Sequence, residues 1–327
     1  MSSLRILSAA DISGAATVLR NGGLLGLPTE TVYGLAANAE DATAVARIYQ
    51  TKGRPSGHPV IVHIGSVEQL DQWALDIPDY ARALAAAYWP GPLTLVLPRT
   101  DRAADFITGG QDTVGIRIPN HPVALAVLQE FGGGVAAPSA NQFGAVSPTS
   151  ALHVFNDLGD RLDPSRDAII DGGECEVGIE STIIDCTSDR PRILRSGAIT
   201  QTDIENTTGL SVDDIDASIK APGTLASHYS PDAKVVVLDS LDQIDEVLKG
   251  LISTKHIGFI ALEKVRTPYG TLRLAMPQDS AHYATELYAA LREADIQGLE
   301  YVVAIAPAGV DIAHAVRDRL TRAAHSS

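Results

Sequence analysis

Cysteine, aromatic residues and positive charge are all scarce in this sequence. The 327 residues include two cysteines, Cys175 and Cys186, and neither belongs to a CxxC pair or to a Cys/His spacing typical of zinc sites. A disulfide scaffold is therefore not expected, and both thiols should be free in a reducing compartment. The most apolar runs, such as Leu93–Pro98, have the length of a strand and not the roughly 20 residues that cross a bilayer.

The shortage of basic residues limits the partners of the protein. Its 25 Lys and Arg residues face 40 Asp and Glu residues, which gives a net charge of −15 at pH 7. This balance argues against nucleic-acid binding through a broad basic face, although a local basic pocket can still bind the phosphates of a nucleotide. The N-terminus lacks the basic and then apolar pattern of a secretory signal, so we expect a cytoplasmic protein with no membrane association.

Short apolar runs alternate with segments of helical period, which predicts an α/β or α+β fold. Several strand candidates follow one another without long helices, so we expect a mixed sheet with flanking helices. The pattern breaks at Thr207–Tyr229, and a regular alternation of strands and helices resumes at Lys234. The predicted organisation is a catalytic domain over residues 1–206, a linker or lid over 207–233, and a small Rossmann-like α/β domain over 234–327. The last domain lacks GxGxxG and a P-loop, so a binding or lid role is expected.

Local signals place the first elements. Asp41 is a good N-cap for a helix at Ala42–Gln50, and Pro55 prevents that helix from continuing far beyond Lys52. The other predicted helices of the first domain are Ala9–Arg20, Asp79–Tyr88, Pro122–Phe131 and Ser150–Leu158, and the predicted strands are Gly23–Leu27, Val60–Ile64, Leu93–Leu97, Val114–Ile118, Ile169–Asp171, Thr182–Asp185 and Ile193–Arg195.

Two polar clusters follow the first predicted strand and the helix after it. Thr29, Glu30, Thr31 and Tyr33 could recognise a small polar ligand, or they could form a polar turn in which Glu30 is solvated and Tyr33 packs. Lys52-Gly53-Arg54-Pro55 combines a compact charge with a bidentate fork, as polyphosphate binding requires. The alternative is a solvated helix end, where basic residues are favoured by the helix dipole.

Arginine and histidine also occur where apolar residues would be expected. Arg117 lies inside a buried strand and needs an anionic partner, either an internal carboxylate or the carboxylate of a ligand. His63 also lies in an apolar run, where a hydrogen-bonded core histidine is the ordinary interpretation. There is no GxSxG elbow, Walker A motif or protein-kinase motif set, which argues against a serine hydrolase and against a kinase.

Together and in this order, the motifs resemble the threonylcarbamoyl-AMP synthase family, in the long form with a YrdC-like fold and an extra C-terminal domain. They are PTETVYGL at 28–35, KGRP at 52–55, PVIVH at 59–63, WPGPLTLVL at 89–97, VGIRIP at 114–119, APSAN at 137–141, ESTIID at 180–185, ILRSG at 193–197 and HYSP at 228–231. Each motif alone is weak, but their order along the chain is highly specific.

The resemblance implies an enzyme that condenses L-threonine, bicarbonate and ATP into threonylcarbamoyl-adenylate and pyrophosphate. A partner transferase complex then uses the product for threonylcarbamoyladenosine formation beside the tRNA anticodon; whether tRNA itself is bound is left open. Mg²⁺ would accompany ATP without dedicated protein ligands. Lys52 and Arg54 would act on the triphosphate as the catalytic residues. Threonine would be bound by Thr31, His63, Arg117, Ala137 and Ser181. The remaining nucleotide contacts would be His58, Thr113, Ser139, Asn141, Ser147, Arg195 and Tyr229.

One position departs from the family pattern, and two other functions compete. After KGRP the family often has Asn-Pro, whereas this chain has His58-Pro59, so a bulkier imidazole stands where the family has an amide. An RNA-binding accessory protein would use KGRP on a phosphate backbone, which the net charge disfavours. A transferase of related fold would use carbamoyl phosphate in place of bicarbonate.

Overall fold

The computed structural model describes residues 4–213, 229–251 and 256–325, and these form two compact units. The first unit comprises residues 4–143, 148–176 and 180–213, and the second comprises 144–147, 177–179, 229–251 and 256–325. Most of the predicted linker, residues 214–228, lies outside the described residues, and so does His228 of its HYSP motif.

The first unit is built on a ten-stranded sheet in the order β1-β8-β2-β3-β7-β4-β6-β5-β9-β10. Its strands are β1 (Arg5–Ser8), β2 (Leu25–Leu27), β3 (Gly34–Asn38), β4 (Val62–His63), β5 (Leu93–Pro98), β6 (Thr113–Arg117), β7 (Val135–Ala136), β8 (Ala168–Asp171), β9 (Thr182–Asp185) and β10 (Arg192–Arg195). Its helices are α1 (Ile12–Arg20), α2 (Ala42–Lys52), α3 (Leu70–Trp73), α4 (Asp79–Tyr88), α5 (Asp105–Thr108), α6 (Pro122–Phe131), α7 (Ala151–Leu158) and α8 (Gln201–Thr208).

The expected mixed sheet is confirmed. It contains parallel pairs, such as β4 with β6 and β5 with β9, and antiparallel pairs, such as β2 with β3 and β5 with β6. Strands β1, β3 and β7 are not among the predicted strands. Strand β3 has the sequence GLAAN, whose small residues carry little strand propensity, and β7 has only two residues. The irregular segment predicted from Thr207 begins slightly later, because α8 continues to Thr208.

Both faces of the sheet are buried. Leu35 and Ala37 of β3 pack into one apolar cluster, whereas Ala36 between them packs into the other. This alternation follows from the period of two along a strand. Helices α1 and α6 contribute Leu19 and Leu128 to the second cluster, so the strands are covered on both sides and the loops at their ends carry the polar groups.

Capping determines where α2 starts and stops. The Asp41 side chain accepts hydrogen bonds from the backbone N–H groups of Thr43 and Ala44, as the sequence predicted. The helix runs two residues past the predicted end and stops at Gly53, whose φ of 65° lies in the left-handed region that favours glycine. This stop turns the chain at KGRP, so that Lys52 ends the helix and Arg54 begins the loop.

The second unit contains a four-stranded parallel sheet in the order β11-β14-β12-β13, flanked by helices, which confirms the small α/β domain. Its elements are β11 (Lys234–Leu238), α9 (Ile244–Leu251), β12 (Ile257–Ile260), β13 (Leu272–Ala275), α10 (Ser280–Ile296), β14 (Tyr301–Ile305) and α11 (Ile312–Ala324). Of the helices that the structure describes, none is both long and apolar enough to cross a bilayer.

A buried ion pair, Arg47–Asp167, is expected to contribute to the stability of the first unit. The Asp167 carboxylate is fully buried, lies 2.6 Å from Arg47 Nη2 and accepts hydrogen bonds from Leu24 N and Asp163 N. We predict that Asp167→Ala lowers the free energy of unfolding by about 3–5 kcal/mol, because it leaves a partly buried cation and two backbone donors without their partner.

Asp71 provides the matched control for this prediction. It also lies 2.6 Å from an arginine, Arg82, but both side chains are exposed. Asp71→Ala should therefore cost only about 0–1 kcal/mol. Urea denaturation measures both variants, and equal losses would show that burial does not decide the strength of the Arg47–Asp167 pair.

Candidate active site

The loop after β2 is organised by the hydroxyl group of Thr29. Its Oγ1 accepts hydrogen bonds from the backbone N–H groups of Thr31 and Val32 and donates to the carbonyl of Val32 at 2.6 Å. A threonine that binds its own backbone in this way fixes a turn. The turn is buried, and the Thr31 hydroxyl lies 2.9 Å from that of Thr29.

Arg117, at the end of β6, meets this turn. Its Nη1 donates to Thr31 Oγ1 at 2.9 Å and its Nε donates to the carbonyl of Gly91 at 3.1 Å. Its Nη2 lies 2.7 Å from Glu30 Oε1, a close charge contact whose angle is not that of a hydrogen bond. The anionic partner required by a buried arginine is therefore the internal carboxylate of Glu30.

His63 is the direct neighbour of Arg117 across the parallel pair of β4 and β6. Side chains paired in this register leave the same face of the sheet. Burial, and then the positive charge of Arg117, lower the pKa of His63 to about 3. The imidazole is therefore neutral near pH 7 and can hydrogen-bond a ligand without adding charge.

Ser181 and Arg195 form the next part of the site. Ser181 Oγ lies 2.8 Å from Thr94 Oγ1, and Arg195 donates to both the hydroxyl and the carbonyl of Ser181 at 3.1 Å. Both residues are buried. Thr94, which the sequence analysis did not single out, lies inside the motif WPGPLTLVL on β5.

Lys52 connects two of the motifs. Its ammonium group is buried and donates to the carbonyls of Ser139 and Asn141, each at 2.5 Å. Burial, and then the charge of Arg54, lower the pKa of Lys52 well below its ordinary value. The KGRP and APSAN motifs, which are far apart in sequence, are thus joined at one place.

Arg54 and His58 both contact the same aromatic ring. The Arg54 guanidinium lies 5.9 Å from the centroid of the Phe143 ring, and the His58 ring meets the same ring edge-on at 5.6 Å. Arg54 also donates to the carbonyl of Pro59 at 2.8 Å and lines a cavity of about 370 Å³. Of the residues assigned to the substrates, only Arg54 lines this cavity, whose other walls come mainly from α2 and Phe106.

The remaining predicted residues of the first unit line the sheet. Ala137 is buried after β7, and its N–H donates to the carbonyl of Ile61. Thr113 begins β6, on the same side of the strand as Arg117 and about 13 Å from it along the strand. A single face of β6 therefore carries a residue assigned to the nucleotide and one assigned to threonine.

Ser147 and Tyr229 belong to the second unit. The Tyr229 ring is buried, stacks on Tyr288 at 5.6 Å and lies 5.2 Å from the guanidinium of Arg319. Its φ of 66° is unusual for a residue other than glycine. Ser147 is also buried, and its carbonyl accepts a hydrogen bond from Arg292. The second unit thus fixes both residues that were predicted from the HYSP and SPT segments.

The environment of Glu30 differs from one of the two interpretations of its polar cluster. The alternative of a solvated Glu30 is incorrect, because 3% of the residue is exposed, whereas the expected packing of Tyr33 is confirmed. Arg117 was the signal that could have identified it, since a buried arginine implies a nearby carboxylate. The two cysteines are free, as predicted. Both are also buried, and burial raises the pKa of both thiols.

A mixed α/β unit that holds buried arginines and hydroxyl groups at or beside strand ends, and a buried lysine at a helix end, is typical of an enzyme for small anionic substrates. Comparison with protein-family models defines the class of protein more narrowly. One, described as telomere recombination and covering Sua5, YciO and YrdC proteins, matches residues 17–197. A second, described as the threonylcarbamoyl-AMP synthase C-terminal domain, matches residues 199–325.

Full-length relatives agree with the family models. The threonylcarbamoyl-AMP synthase of Pyrococcus abyssi is 40% identical over 326 residues, covering 94% of this chain and 92% of that protein. The Bacillus subtilis enzyme is 37% identical, with coverage of 96% and 92%. The crystal structure of P. abyssi Sua5 complexed with L-threonine matches with a TM-score of 0.87 at 38% identity, covering 98% of this chain and 97% of that one.

The chain belongs to the threonylcarbamoyl-AMP synthase family, whose members are adenylyl-transferring enzymes of tRNA threonylcarbamoyladenosine biosynthesis. The resemblance predicted from the ordered motifs is thereby confirmed, together with the fold class and the function that it implied.

The neutral His63 makes stability depend on pH. The unfolded chain binds a proton on this histidine below its ordinary pKa of 6.5, whereas the folded protein does so only near pH 3. The free energy of unfolding is therefore unaffected by His63 above about pH 6.5 and decreases as the pH falls toward 3. We predict that His63 alone removes about 2 kcal/mol of unfolding free energy between pH 7 and pH 5.

Between pH 7 and pH 5 the variant His63→Gln should lose about 2 kcal/mol less unfolding free energy than the wild type. Urea denaturation of both proteins at the two pH values measures the difference. Equal losses in the two proteins would contradict the assignment of a neutral, buried imidazole.

Proposed function

We propose that this enzyme condenses L-threonine, bicarbonate and ATP to threonylcarbamoyl-adenylate and pyrophosphate in the buried cluster around Arg117. The observation that carries the proposal is that this arginine donates to Thr31 and lies directly beside His63 in the sheet. Ser181, which is bound by Thr94 and Arg195, is added to the subsite from the resemblance. Together these residues provide a cation for a carboxylate and neutral groups for an amine and a hydroxyl, which are the three polar groups of threonine.

The assignment of the threonine subsite follows from the chemistry of each group. Arg117 has five N–H donors, of which the hydrogen bonds to Gly91 and Thr31 use one on Nε and one on Nη1, while Nη2 makes only a charge contact with Glu30. The outer N–H groups of Nη1 and Nη2 can therefore bind a carboxylate in the bidentate manner. Thr31, His63 and Ser181 supply neutral partners, and the buried Ala137 supplies an apolar wall.

The nucleotide subsite uses the cations of KGRP and the groups around them. Arg54 and Lys52 neutralise the triphosphate, and the negative phosphates favour the protonated form of Lys52. Ser139 and Asn141 are connected to Lys52 by the hydrogen bonds of their carbonyls. The other nucleotide contacts, assigned from the resemblance, are His58, Thr113, Ser147, Arg195 and Tyr229.

The chemistry needs positioning more than a protein nucleophile. The threonine ammonium and bicarbonate give a carbamate, one water and one proton. A carbamate oxygen then bonds to the α-phosphorus of ATP, the bond to the bridging oxygen breaks, and pyrophosphate leaves. Buried donors fixed by backbone contacts stabilise the developing negative charge without reorganising.

Mg²⁺ fits this site as an ion that arrives on ATP. Within residues 4–213, 229–251 and 256–325, no group of three or more His, Cys, Asp or Glu side chains could hold a metal ion. The ligands of Mg²⁺ would then be phosphate oxygens and water, which this ion accepts readily. When bound, the ion neutralises phosphate charge and increases the electrophilicity of phosphorus.

We also propose that the product passes to a tRNA threonylcarbamoyl transferase complex and that the enzyme works in the cytoplasm. An adenylate with a carbamoyl–phosphate anhydride is hydrolysed easily, so a transferase must consume it soon after release. This part of the proposal rests on the family and on the chemistry of the product.

Pyrophosphate release tests the reaction itself. With ATP and Mg²⁺ present, we expect release only when threonine and bicarbonate are both supplied. Release at the same rate without threonine would contradict the synthase. Consumption of carbamoyl phosphate with no use of bicarbonate would instead support the related carbamoyl transferase.

Paired substitutions test the two subsites. Arg117→Lys keeps the charge but loses the fork, so we expect the KM for threonine to rise about ten- to a hundredfold. Arg54→Lys should likewise raise the KM for ATP. Arg102→Lys, in a partly exposed ion pair with Glu40, is the control and should change neither constant. Opposite effects of the first two substitutions would show that the subsites are exchanged.

A further inference from the structure

The Glu30 carboxylate is buried beside the substrate cluster and is poorly satisfied by the protein. Only 3% of the residue is exposed, and among the residues that the structure describes neither carboxylate oxygen has a hydrogen-bond partner. Its one ion pair within the described part of the chain is the 2.7 Å approach of Oε1 to Arg117 Nη2. A carboxylate has about four acceptor positions, so most of the capacity of Glu30 is unused.

Such an arrangement is costly unless a ligand completes it. Removing a carboxylate from water without hydrogen bonds is strongly unfavourable, and one ion-pair contact does not fully compensate. A threonine-binding role for Arg117 alone would not require Glu30, because the substrate carboxylate could itself neutralise the arginine. The presence of the second, opposite charge therefore calls for a separate explanation.

The charge pattern of the substrate provides one. Near pH 7 an α-amino acid carries a carboxylate and an ammonium on the same carbon, and the cluster carries a guanidinium and a carboxylate in contact. His63 next to Arg117 is neutral and does not disturb this pattern. The zwitterion can therefore bind antiparallel to the Arg117–Glu30 pair, with its carboxylate against the guanidinium and its ammonium against the carboxylate.

We propose that Glu30 is the specificity-determining residue of the threonine subsite, and that its carboxylate binds the substrate ammonium. The inference rests on the proposed function. It predicts that Glu30 selects zwitterionic amino acids and rejects acids that carry only a carboxylate, because two carboxylates would then share the single guanidinium of Arg117 with no ammonium to balance the second one.

A series of threonine analogues tests the proposal on the unaltered enzyme. (R)-3-Hydroxybutyrate has the carboxylate and hydroxyl of threonine but no amine, and L-threoninol has the amine and hydroxyl but no carboxylate. As inhibitors of threonine-dependent pyrophosphate release, both should bind about a hundredfold more weakly than threonine, since each leaves one buried charge unpaired. Inhibition by hydroxybutyrate at threonine-like concentrations would overturn the proposal.

The variant Glu30→Gln tests the residue. It should weaken the binding of threonine and strengthen the binding of hydroxybutyrate, while the KM for ATP stays the same. The ratio of the two affinities should therefore fall to about tenfold or less. The control Glu40→Gln removes a glutamate from a partly exposed arginine pair, with Arg102, and should keep the wild-type ratio. An unchanged ratio in Glu30→Gln would contradict the role of Glu30.

Two checks separate failures of different kinds. If Glu30→Gln does not fold, as its thermal melting would show, the analogue series on the wild type still decides the proposal. If the wild type releases no pyrophosphate with threonine and bicarbonate, the proposed function fails. If it does so but does not distinguish the analogues, only the inference about Glu30 fails.

Discussion

The contact between Arg117 and Glu30 is the interaction on which the site of the first unit depends. It joins the end of β6 to the turn after β2, two places that are distant in sequence. The same arginine donates to Gly91 and Thr31, so one side chain fixes three segments. Because the group is buried, each of these contacts acts in a medium of low dielectric constant and is stronger than it would be at the surface.

The other cation of the site, Lys52, has a similar organising role. Its ammonium group connects the end of α2 to the backbone of the APSAN segment, and Gly53 provides the turn that directs Arg54 away from the helix. Charged side chains thus position loops as well as substrates. For a reaction whose main requirement is orientation and charge neutralisation, a rigid set of buried donors is the appropriate design.

Most of the helices and strands and many of the site residues could be predicted from the sequence, because their signals are local. Asp41 and Pro55 bracket α2, and a buried Arg117 implies an anionic partner. Sequence reasoning could not choose Glu30 over a ligand, since that choice depends on a contact between residues 87 positions apart. It also missed β3, in which tertiary pairing with β2 and β7 overrides the weak propensity of small residues. The contacts of Tyr229 with Tyr288 and Arg319 were beyond local patterns for the same reason.

The central claim is that the cluster around Arg117 presents the amine of threonine to bicarbonate and the resulting carbamate to ATP. The most direct measurement is nuclear magnetic resonance of a reaction that contains ¹⁵N-threonine, ¹³C-bicarbonate, ATP and Mg²⁺. We predict a carbonyl ¹³C signal split by one-bond coupling to ¹⁵N, formed together with pyrophosphate and absent without ATP. Pyrophosphate formation without that coupled signal would contradict the account.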